Sequence, residues 1–137
     1  MSRTAETILL VEHDPSVLNT LVQILTLQGY HVLQARTPKA ALEIANRRDY
    51  EPALLLTGVT LPGLYGWQLA ECLKLPYPNL QVLYISDECD DHTEELGDPS
   101  ESTLHKPFQS DELQRIVRKI LDNRSFRVAS ANDRSNP

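Results

Sequence analysis

Short apolar runs alternate with amphipathic stretches along this chain. The first run, Thr7-Ile8-Leu9-Leu10-Val11, is apolar at almost every position. That pattern suits a strand covered on both faces, as in a parallel sheet. Asp14-Pro15 reads as a helix start, because Asp caps free amides and Pro fits the first helical position. Val17, Leu18, Leu21, Val22 and Leu25 follow at helical spacing, and Gly29 is the stop. His31 to Ala35 predicts a second strand. Thr37-Pro38 repeats the cap and Pro, and Ala41, Leu42 and Ala45 give the second helix a narrow apolar face. Ala53 to Thr57 predicts the third strand. A loop with Pro62, Gly63 and Gly66 leads into a third helix carrying a half-buried Trp67 with Leu69, Ala70 and Leu73, ended by Pro76 and Pro78.

Leu80 to Ile85 predicts the fourth strand. Asp87 to Ser102 is acidic, holds Gly97 and Pro99, and allows at most a short helix near Asp91 to Leu96; it reads as a solvated loop. Thr103 to His105 is a brief fifth strand. Ser110 is placed to cap a last helix with Leu113, Ile116, Val117, Ile120 and Leu121 on one face. The Asn-, Ser- and Arg-rich stretch Asn123 to Pro137 reads as a disordered tail, with no nucleic-acid arm in Arg124, Arg127 or Arg134.

Five strands alternating with five helices, the fourth short or irregular, predict an α/β doubly wound parallel sheet. Right-handed crossovers favour the order 2-1-3-4-5. Such sheets place their chemistry in a crevice at the carboxyl ends of the strands. Glu12-His13-Asp14, Gly58, Ser86 and Lys106-Pro107 meet there. Gly58 is the informative member, since a glycine offers no nucleophile, metal ligand or proton carrier.

Composition narrows the class. The chain has 137 residues, 41% apolar and 23% charged, enough for one core. A formal net charge of −6 argues against non-specific binding to nucleic acid or to anionic lipid. No apolar stretch has the length to cross a bilayer, and Met1 to Thr7 lacks the apolar segment of a secretory signal. Cys72 and Cys89 have no metal-type spacing and read as free thiols in a reducing cytoplasm.

Four segments, in order, resemble the receiver domains of two-component response regulators: Ile8-Leu9-Leu10-Val11-Glu12 with Asp14-Pro15, Leu61-Pro62-Gly63 with Gly66, Val82-Leu83-Tyr84-Ile85-Ser86, and His105-Lys106-Pro107-Phe108. The wording around the third and fourth strands looks most like receivers of hybrid histidine kinases. The resemblance covers about residues 6 to 121 and implies a flavodoxin-like fold, with a receiver-like domain over residues 1–122 and a tail over 123–137. In an active member, an Asp after the third strand accepts a phosphoryl group from a histidine kinase. A magnesium ion bridges it to acidic groups after the first strand. Catalysis is positioning plus charge neutralisation, and magnesium favours hard oxygen ligands.

Carried onto this chain, Glu12 takes the first acidic position, His13 replaces the main magnesium-binding Asp, and Gly58 replaces the phosphoacceptor. Ser86 and Lys106 match the residues that contact phosphoryl oxygens. The Lys106-Pro107 bond is expected cis, as is usual in the family. Thr103 stands where many members carry a switching aromatic. The expectation is a degenerate receiver: no enzyme, no cofactor, magnesium binding lost or weak, and Glu12 paired with Lys106. It would act through protein contacts with a histidine kinase or output protein, without nucleic acid or membrane. The face of the fourth helix, fifth strand and fifth helix is the expected contact surface, a homodimer through it included.

Other readings stand beside this one. Asp14 could be a substitute acceptor, though a carboxylate capping a helix is misplaced for in-line attack. A small-ligand or enzymatic domain on a flavodoxin-like fold is a third reading, disfavoured because no Gly/Ser/Thr-rich phosphate cradle follows the first or third strand. Ser86 with Lys106 either anchors an anion or is satisfied by nearby backbone. Glu12-His13-Asp14 is not expected to hold zinc or nickel, since adjacent strand residues point to opposite sides.

Overall fold

The computed structural model describes residues 6–86 and 102–134. Five strands form one parallel sheet: β1 (Thr7–Val11), β2 (His31–Ala35), β3 (Leu54–Gly58), β6 (Gln81–Ser86) and β7 (Ser102–His105). Their order is β2-β1-β3-β6-β7, the 2-1-3-4-5 order expected. Four helices accompany them among the described residues: α1 (Pro15–Leu27), α2 (Pro38–Arg47), α3 (Gly66–Lys74) and α4 (Ser110–Arg134). The short helix expected near Asp91 to Leu96 lies outside the described residues, as does the loop around it.

Strand alternation divides the core between two layers. Ile8, Leu10, Leu54, Leu56, Leu83 and Ile85 face α1 and α4, meeting Leu21, Leu25, Leu113 and Val117. Leu9, Val11, Leu55, Val82 and Tyr84 face α2 and α3, meeting Ala41, Ala45, Leu69 and Leu73. Both faces being covered explains why the strands read as unbroken apolar runs. Each buried leucine contributes roughly 1.5–3 kcal/mol, more than an exposed ion pair, so the sheet and not the polar cleft holds the fold.

The helix starts follow the sequence reading. Asp14 Oδ1 accepts the Ser16 N–H at 2.8 Å, and Thr37 Oγ1 accepts the Ala40 N–H at 3.1 Å, with Pro15 and Pro38 in the first turn. Gly29, at φ +94°, ends α1.

Five details correct that reading. β3 ends at Gly58 rather than Thr57, because Gly58 still pairs with Ile85 in the ladder. β6 runs Gln81–Ser86, one residue later than expected, because the Leu80 N–H turns back to the Tyr77 carbonyl. The loop after β3 contains a hairpin, β4 (Thr60–Leu61) with β5 (Leu64–Tyr65), closed at Pro62-Gly63 with Gly63 at φ +91°. Ser110 is the first residue of α4, not its cap: the Gln109 carbonyl accepts from Glu112 and Leu113, and Glu112 Oε1 reaches back to the Gln109 N–H. The backbone of α4 also continues to Arg134, past the end expected at Asp122. No Gly or Pro stands between Asn123 and Arg134 to stop it.

Candidate functional site

The carboxyl ends of β1, β3, β6 and β7 form one cleft. Glu12 follows β1 directly, its N–H bonded to the Ala35 carbonyl at 3.0 Å, and it is 7% exposed. Its carboxylate is shared: Oε2 accepts the Asp14 N–H at 2.9 Å, and Oε1 lies 3.9 Å from Lys106 Nζ. The pairing of Glu12 with Lys106 is thus present. His13 is exposed, and Asp14 spends its carboxylate on the α1 cap. The three neighbours therefore do not converge on one point, and no group of three His, Cys, Asp or Glu among the described residues is arranged for a metal.

Gly58 ends β3 in the middle of the sheet, flanked by β1 and β6. Its backbone is not in the left-handed region, so the conformation does not demand glycine. A Cβ built there would meet the Thr60 carbonyl oxygen at 3.4 Å and Leu61 Cδ2 at 3.6 Å, ordinary contact distances. A Cβ is accommodated among the described residues, and none is present.

Ser86 ends β6 and is fully buried; its carbonyl accepts the Lys106 N–H at 2.8 Å. That bond extends the β6–β7 ladder and delivers Lys106 to the cleft, its side chain one-quarter exposed. The Lys106-Pro107 peptide is cis, as expected. Thr103 is half-buried on β7, opposite the fully buried Tyr84.

Two residues near the cleft have roles that the sequence does not show. Thr57, fully buried, donates from Oγ1 to the Gly58 carbonyl at 3.1 Å. A lone hydroxyl in an aliphatic run is the signal for it. Gly66 starts α3 with its N–H on the Val59 carbonyl at 2.7 Å, and a Cβ there would collide with the Gly58 carbonyl oxygen. Gly66 is thus required by close approach of backbones, which only the fold reveals. Trp67 is half-buried as expected, with its indole N–H buried and without a hydrogen-bond partner among the described residues. Cys72 is a free, exposed thiol; Cys89 lies outside the described residues.

Magnesium would need oxygen ligands here. Of the residues at the family's acidic positions, Glu12 is committed to Lys106 and a backbone amide, His13 offers nitrogen, and Gly58 offers nothing. The donor set does not fit that ion.

Comparison with known proteins agrees with the fold. The family model for the response regulator receiver domain matches residues 8–118. The response regulator protein FleR of Pseudomonas aeruginosa is 30% identical over 115 residues, covering 82% of this chain and 24% of FleR. Sporulation initiation phosphotransferase F of Bacillus subtilis is 28% identical over 124 residues, covering 88% of this chain and 97% of that protein. A response regulator receiver protein from Sinorhizobium medicae superposes with a TM-score of 0.79 at 27% identity, over 88% of this chain and 97% of that one. Other curated relatives are longer, and this chain spans from 12% to 51% of their length.

Proposed function

This chain belongs to the response regulator receiver family, and on that premise we propose that it is a receiver whose signalling does not pass through an aspartyl phosphate. It is a protein-interaction module within two-component signalling. The observation that carries this reading is Gly58: the end of β3 has room for a Cβ, and that position holds no acceptor.

Phosphoryl transfer to a receiver requires a nucleophilic carboxylate oxygen in line with the leaving group and a cation to neutralise the equatorial oxygens. Among the described residues the cleft supplies neither. Lys106, which would stabilise an incoming phosphoryl oxygen, is paired with Glu12. That ion pair closes the local charge balance without a metal. Asp14 as a substitute acceptor is disfavoured by its bond to the Ser16 N–H, which turns the carboxylate onto α1. Partners on this reading are a histidine kinase or an output protein, met through the β7–α4 side of the domain. Location in the cytoplasm accords with it, and no described helix is long and apolar enough to cross a membrane.

The test pairs the natural chain with a Gly58→Asp, His13→Asp variant, each incubated with acetyl phosphate and weighed intact. The expected result is no phosphoryl adduct on the natural chain and one on the variant. A stable adduct on the natural chain overturns the proposal.

A further inference from the structure

The β2 edge of the sheet carries an unused ladder. The His31 N–H bonds to the Glu6 carbonyl at 2.9 Å, and the Ala35 carbonyl accepts from Glu12 at 3.0 Å. In a parallel pair the same residues supply both inward groups, so His31, Leu33 and Ala35 bond to β1. Val32 and Gln34 therefore direct their N–H and C=O groups away from the sheet. Nothing among the described residues bonds to them. β2 also lacks the devices that usually blunt an edge: from His31 to Ala35 there is no proline, lysine or bulge. Beside this edge lies a groove of about 300 Å³ lined by Val32, Leu33, Ile44, Arg47, Asp49 and Tyr50. The Tyr50 ring stands 4.3 Å from that of His31 and is 53% exposed.

We propose that the β2 edge is a self-association surface: two copies pair their β2 strands antiparallel about a two-fold axis through Leu33, joining two sheets into one. The register is self-complementary. With Leu33 opposite its own counterpart, Val32 of each copy faces Gln34 of the other, and those are the residues with outward backbone groups. Each such pair exchanges both N–H···O bonds. The two leucines meet as a non-hydrogen-bonded pair, the closer kind, beside the groove. At the ends, Arg36 of one copy falls opposite Tyr30 of the other. There the Asp49 carboxylate and the exposed Tyr50 ring await a cation, and Asp49 has no ion pair with a described residue. Arg47 shares that rim and offsets part of this attraction, which Asp49 and Tyr50 supply. A second copy thus fits the edge by hydrogen bonding, by apolar contact and by charge. The opposite side of the sheet, β7 with α4, is left open for other partners.

Sedimentation equilibrium of the full chain tests the association, and two variants test the surface. A Gln34→Pro change removes an outward N–H and leaves the β1 ladder intact. It should weaken dimerisation about tenfold or more, through one lost donor per copy. A Leu33→Cys change, made with Cys72→Ser and Cys89→Ser, should give a disulfide-linked dimer under diamide, because non-hydrogen-bonded partners lie within disulfide range. This second readout decides the matter if Gln34→Pro impairs folding. A chain that stays monomeric at every attainable concentration overturns the proposal. So does a dimer that neither responds to Gln34→Pro nor cross-links at Leu33→Cys.

Discussion

Two glycines eight residues apart in the chain meet at the end of β3 and have opposite reasons to be there. Gly66 lets the start of α3 close on the Gly58 carbonyl, where a Cβ would collide. Gly58 has ordinary contacts in its own Cβ direction and no special backbone angle. Replacing Gly66 by Ala should therefore cost about 1–3 kcal/mol through overpacking. Replacing Gly58 by Ala should leave stability unchanged or raise it by up to about 1 kcal/mol, by restricting the unfolded chain. Urea denaturation of both variants checks this; equal losses would show that β3 demands glycine at its end. The pairing of Glu12 with Lys106 is legible in the sequence, because the strand order alone brings their loops together. The role of Gly66 is not legible, since it depends on how closely two backbones pack.

At the scale of elements, the tie between α4 and the start of β1 is the clearest polar device outside the cleft. Arg118 bonds Glu6 at 3.1 Å, Asp122 at 3.0 Å and the Tyr30 hydroxyl at 3.2 Å, with its guanidinium over the Tyr30 ring. Burial pushes the Tyr30 phenol above its ordinary value of 10.0, partly offset by the Arg118 guanidinium. A raised value in the fold means the neutral phenol is favoured there. Its contribution is complete below the ordinary value and is lost as pH rises through the folded one. The natural chain should thus lose stability above about pH 10 more steeply than a Tyr30→Phe variant. Thermal melts across that range check it, and parallel slopes would remove Tyr30 from the account. The strands and the first two helix caps could be read from the sequence because continuous apolar runs and Asp-Pro or Thr-Pro starts are local signals. The β4–β5 hairpin could not, because two-residue strands have no period to detect. The sequence points to Ser110 as the cap of α4, one residue late, because Ser is a good cap by type, whereas Gln109 caps through its backbone and through Glu112.

For the whole molecule, the two apolar layers and the polar cleft are separate tasks of one sheet. Family membership rests on the family model that matches residues 8–118, and the proposed signalling mode rests on the cleft. The proposed self-neutralised cleft predicts that titrating magnesium into the protein releases no stoichiometric heat, while the Gly58→Asp, His13→Asp variant binds the ion. Tight binding by the natural chain would contradict the charge balance assigned to Glu12 and Lys106. The space beyond the Gly58 α-carbon also bears on descent. Its described neighbours stop at van der Waals distance, so a Cβ there needs no other change to make room. Histidine codons are single-base neighbours of aspartate codons, and so are half of the glycine codons. A gene encoding this chain stands a short mutational walk from a cleft with aspartates at both positions, and no described neighbour blocks a Cβ at Gly58.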